Sequence, residues 1–154
     1  MWMKFGATVG LVAALVLASQ VAWAASDTSR ATYRATGLSG HPELHAGGVV
    51  DVTYGRDAGS REVHHVHGAG PNTVYAVTGD VYFATACAPD DPFGPVTVPE
   101  GELATDSSGN GRLAVRFPGS AFTGAPDALW VRWNLSTSQG VAYQTECVLI
   151  ELGS

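Results

Sequence analysis

Downstream of residue 30, apolar and polar positions alternate in short runs separated by glycine, proline, asparagine and aspartate. Alternation of period two marks half-buried strands, and these separators mark turns. Read this way, Thr32–Thr36 is a first strand and Val49–Tyr54 a second. In the second, Val50, Val52 and Tyr54 share one face and Asp51 and Thr53 the other. Gly55–Ser60 carries turn chemistry and predicts a hairpin into a strand over Glu62–His67. Thr73–Thr78 and Val81–Ala86 follow, with Gly79-Asp80 between them as a tight turn or a bulge. The prolines of Ala88–Pro95 exclude a central strand there. Glu102–Thr105 leads into the turn Asp106–Gly111. Arg112–Phe117 then points Leu113, Val115 and Phe117 inward and Arg112, Ala114 and Arg116 outward. Pro118–Asp127 is a longer connection. Leu129–Leu135 and Tyr143–Leu152 are the last strands, joined through Ser136–Gly140.

No segment repeats apolar residues at helical spacing. About eight short strands at this turn density predict an all-β domain. The expected architecture is an immunoglobulin-like Greek-key sandwich of seven or eight antiparallel strands, with residues 25–154 as one domain.

The first 24 residues break the alternation. Lys4 precedes an uncharged apolar run, Phe5–Ala18, and Ala22-Trp23-Ala24 offers the small residues that signal peptidase accepts. The run is shorter than the about 18–20 residues that span a bilayer, so Met1–Ala24 reads as a cleaved export signal rather than an anchor. No cysteine lies beside the cleavage site to take a lipid. The expected product is secreted, periplasmic or extracellular, with no membrane span after cleavage.

Composition narrows the partners. The net charge is −6 and 14% of residues are charged. The arginines are scattered, so nucleic acid is not an expected partner, and an acidic surface does not favour anionic membranes. Export also settles the reading of the two cysteines: in an oxidising compartment Cys87 and Cys147 are expected to pair.

All five histidines fall between positions 41 and 67: His41, His45, His64, His65 and His67. On a strand, His65 and His67 share a face, their Cα atoms roughly 7 Å apart. Val63 shares that face, while Glu62, His64 and Val66 take the other, so His64 joins the pair only if a bulge re-aims it. His45 falls near the far end of the histidine strand if the second and third strands form a hairpin. With His41 these residues form a candidate site for copper or zinc, to which imidazole is well suited. The competing reading is a set of solvated histidines paired with Glu62 and Asp51.

The segment His65-Val66-His67-Gly68 resembles the copper-binding strand of Cu/Zn superoxide dismutases, and a cysteine pair reaching the final strand is similar to that family's disulfide. It also resembles the corresponding segment of chordin-type repeat domains, which share the dismutase-like sandwich. The resemblance implies a β-sandwich with His65 and His67 as copper ligands. Dismutases need further histidines after this strand and an arginine close before the last cysteine. Here no histidine follows His67 and the last arginine is Arg132, so dismutase activity is not expected.

Other constellations carry less. Asp90, Asp91, Asp106 and Asn110 offer oxygens but lack calcium-loop spacing. No serine sits in a nucleophile-elbow context, and no paired acid and base emerges. Asn134-Leu135-Ser136 matches a glycosylation sequon. Trp130 and Trp133 fall on opposite faces of one strand, one for the core and one free to bind. The leading expectation is a secreted, non-enzymatic β-sandwich that acts by binding a protein or small molecule, or as an envelope or extracellular structural component. The alternative is an exported copper- or zinc-binding protein using the strand His64–His67.

Overall fold

The structure, a computed structural model, describes residues 29–38, 40–84, 86–92 and 94–152, with backbone alone for 29–34 and 36. The expected export signal lies outside the described residues. Nine strands are present: β1 Ser29–Gly37, β2 Ala46–Thr53, β3 Ser60–His67, β4 Val74–Tyr82, β5 Val96–Ala104, β6 Gly111–Phe117, β7 Ala128–Thr137, β8 Gly140–Thr145 and β9 Val148–Glu151. The helical content among the described residues is a single 3-10 turn, Gly119–Phe122, within the long connection before β7.

The strands form two packed antiparallel sheets along one hydrogen-bonded path, β5-β4-β7-β8-β1-β2-β3-β6, with β9 also on β7. Long β1 joins the sheets: Ser29–Arg34 pairs β2, and Ala35–Gly37 pairs β8. On the opposite side a Thr105–Gly111 bridge at the β5–β6 turn brings the free edges together. β7 returns beside β4 after the β4-β5-β6 run, and β6 returns beside β3. Both are Greek-key connections, as the strand pattern predicts. Cys87 and Cys147 are disulfide-bonded.

Three strand boundaries differ from expectation. Gly79-Asp80 does not interrupt β4, because Asp80 accepts hydrogen bonds from Thr97 and Asn134 on both neighbouring strands. The final segment is not one strand: after β8 the chain leaves the ladder at Glu146-Cys147, where the disulfide reaches the Cys87 loop, and resumes as β9. β5 begins at Val96, well before Glu102. Its Pro99 and Gly101 hide the strand in the sequence, yet an edge strand tolerates both.

The interior divides in two. One cluster holds Val66, Ala69, Tyr75, Val77, Leu103, Leu135, Ala142 and Tyr143 around Ala35. Tyr75 and Tyr143 meet edge to face there, centroids 5.5 Å apart. The other holds Val49, Leu129, Val131, Trp133, Ile150 and Leu152. Trp133 is its buried tryptophan, while Trp130 is half-buried on the other face of β7.

Candidate metal and ligand site

Alternation along β2 and β3 fixes what faces inward. Val49 and Val66 are both 1% exposed, and counting by two from them turns Asp51, Thr53, Ser60, Glu62 and His64 into the sandwich as well. The register aligns these residues in pairs across the hairpin: Val49 with His64, Asp51 with Glu62, Thr53 with Ser60. Val50 and Val52 lie half-buried on the other side, and Tyr54 is 38% exposed. The polar face of this hairpin is therefore the interior one.

From the opposing sheet comes Glu100. Val77 pairs Gly101 while Thr78 pairs Pro99, so Glu100 is the extra residue of a β-bulge. The bulge, with Gly101 at φ 135°, places its carboxylate inside. Gly79 on β4 makes the room: a Cβ there would stand 2.6 Å from Glu100 Oε1.

Glu62, His64 and Glu100 converge, with one donor atom from each lying within 4.8 Å of the others. His64 Nε2 is 2.6 Å from Glu100 Oε2 and 3.4 Å from Glu62 Oε2. Neither approach has the direction of an N–H···O bond, and both His64 nitrogens and Glu100 Oε2 are buried without a hydrogen-bond partner. Glu62 Oε2 accepts the indole N–H of Trp133 at 2.8 Å, which orients it.

Burial dominates the acid–base behaviour. Desolvation raises the Glu62 carboxyl to about 7, with Glu100 adding to the rise and His64 opposing it. Desolvation and the facing Glu62 raise Asp51 to about 6, against the hydrogen bond donated by Thr53. Burial alone would lower His64, but its contacts with Glu100 and Glu62 hold it up at about 9.

Beside this cluster lies a cavity of about 270 Å³ between the sheets. Its wall from the β2–β3 hairpin is polar, with Asp51, Thr53, Ser60 and Glu62, and Glu100 reaches in beside Glu62 from the opposing sheet. The facing wall is apolar, including Val81, Val98, Leu129, Val131 and Ile150, with Phe83, Phe117 and Phe122 also against the cavity.

The other histidines are placed elsewhere. His65 and His67 sit on the outer face of β3, ring centroids 6.1 Å apart, and His67 Nδ1 is 3.1 Å from Asn110 Oδ1. His45 reaches the end of the histidine strand as the hairpin predicts, its N–H donating to the His67 carbonyl. His41 packs on Tyr143, ring centroids 5.9 Å apart. Among the described residues, the one metal-capable group of three or more side chains is Glu62–His64–Glu100, so these four histidines do not assemble into such a group. Of the sequence candidates His64 is the member of that group, from the face opposite His65 and His67. Glu62 was visible as its i−2 neighbour on one strand face; Glu100 had no signal, because a bulge decides its direction.

The acidic loops separate too. Asp106 caps its own turn by accepting from the Ser108 and Asn110 amides, and buried Asp91 accepts from the Ala84 amide. Asn134 is 4% exposed and bonded to Asp80 and Gln144, so its sequon is closed to glycosylation in the folded protein. No helix of the described residues is long and apolar enough to cross a membrane. Comparison with protein-family models, curated proteins and solved structures finds no match.

Proposed function

We propose that the protein is an exported, non-enzymatic binding module that takes a small amphiphilic molecule into the cavity between its sheets. The observation that carries this reading is the two-sided lining: Asp51, Thr53 and Ser60 along one wall, aliphatic side chains along the other. A ligand suited to it has an apolar side and hydrogen-bonding groups along one edge. Apolar pockets with a few convergent polar groups are the usual form of small-molecule sites. The disulfide and the N-terminal 24 residues fit an oxidising compartment outside the cytoplasm.

The test is fluorescence titration with Nile red, a neutral apolar probe with hydrogen-bonding edges, followed by competition. Saturable binding near 1:1, weakened at least tenfold by Val98→Trp, which fills the cavity, supports the reading. Absence of binding by wild type, or binding indifferent to Val98→Trp in a folded variant, overturns it.

A further inference from the structure

We infer that Glu62, His64 and Glu100 bind a divalent transition-metal ion of the zinc class inside the sandwich. The site is distinct from the surface histidines and does not depend on what the adjoining cavity takes.

The donor set is one imidazole nitrogen and two carboxylate oxygens, a mixture that suits a borderline divalent ion. Zinc bonds to such donors are about 2.0–2.2 Å, so two donors on one tetrahedral ion stand roughly 3.4 Å apart. The His64 Nε2 to Glu62 Oε2 separation already is 3.4 Å. Glu100 Oε2, at 2.6 Å, has to withdraw by about 0.8 Å to take the same spacing. The lack of alignment between imidazole and carboxylates is what atoms aimed at a common point produce, whereas a hydrogen-bonded pair aims donor at acceptor.

Burial strengthens the case. The side chains of His64 and Glu100 are 1% and 2% exposed, and their facing atoms lack hydrogen bonds. Nε2 and Oε2 face each other as an ion pair, but His64 Nδ1 is left with no hydrogen-bond partner, which is rare for a buried polar atom. A dication also offsets the mutual repulsion of Glu62 and Glu100. Three further features belong to a built site. Trp133 holds Glu62 through its indole N–H, as outer-shell partners hold ligating carboxylates. Gly79 leaves the space that Glu100 occupies. Glu62 and Glu100 also line the cavity, which provides a path and an open fourth position.

The experiment is Zn(II) uptake by the chelator-stripped exported protein, read by equilibrium dialysis with elemental mass spectrometry and by thermal unfolding. Wild type should bind one equivalent and melt higher with Zn(II). Glu100→Gln should weaken binding by more than about 100-fold, since even an outer-shell change weakens it roughly 10–100-fold. The double variant His65→Ala/His67→Ala should keep the equivalent. Co(II) absorption of wild type supplies a readout that needs no variant: an intense d–d spectrum marks a low-symmetry enclosed site, the weak spectrum of octahedral Co(II) a solvated one. Failure of wild type to bind Zn(II), loss of uptake in the His65/His67 variant, or the octahedral spectrum overturns the inference. Zn(II) uptake and Nile red binding are read independently on wild type and either can fail without the other, so this inference and the cavity reading are distinguishable.

Discussion

The two ends of the interior share strands such as β3 and β7 and solve burial in opposite ways. Around Tyr75, Leu103 and Tyr143, both sheets contribute apolar or aromatic groups and the space is filled. Around Trp133, the β2–β3 hairpin contributes Asp51, Thr53, Ser60, Glu62 and His64, and a cavity remains open. The first arrangement is what stability alone favours. The second buries three carboxylates and an imidazole, an arrangement that apolar packing alone would not require. The contrast assigns close apolar packing to one end and buried polar groups to the other.

The sharpest way to break that assignment is to remove charges singly and together. His64→Leu leaves Glu62 and Glu100 facing each other without a counter-charge and should cost about 3–5 kcal/mol by denaturant unfolding. Replacing Glu62, His64 and Glu100 together by apolar residues should cost far less, or stabilise, since a removed buried ion cluster returns its desolvation penalty. If the triple variant is the least stable of the set, the cluster is structural.

At the filled end, Leu103→Ala should cost about 2–5 kcal/mol, because Leu103 is 0% exposed and its neighbours are locked. Enlarging a side chain separates the ends by a smaller amount. Val77→Leu overpacks the filled cluster and should cost about 1–3 kcal/mol, whereas Val131→Leu grows into the cavity and should be close to neutral. Equal costs for these two would erase the difference in packing.

The smallest effect expected is on pH. In the metal-free protein Asp51 and Glu62 are raised to about 6 and 7, so their protons are bound more tightly in the folded state. That contribution is lost as pH rises from about 4, the unfolded carboxylate range, through those values. His64, raised to about 9, contributes stability that is full below about 6.5 and lost as pH climbs through 9. Both act in the same direction, so the melting temperature should fall steadily from pH 5 to pH 9. A maximum at pH 8 would contradict the burial of these groups.

The all-β class, most of the turns, the pairing of Cys87 with Cys147 and the inward face of β6 were legible in the chain, because each rests on neighbouring residues or on a count. The sequence also divided β3 into two faces, Glu62 and His64 on one, His65 and His67 on the other. Which face turns inward was decided only by tertiary structure. Periodicity assigns residues to a side but carries no sign when one side holds Glu62, His64 and Val66 and the other Val63, His65 and His67. The packing of Val49 and Val66 against the opposing sheet supplies the sign. Glu100 lay further out of reach, since one bulge residue reverses every side-chain direction beyond it. The candidate site exists because that reversal, the space at Gly79 and the β2–β3 register meet at one point from strands distant in sequence.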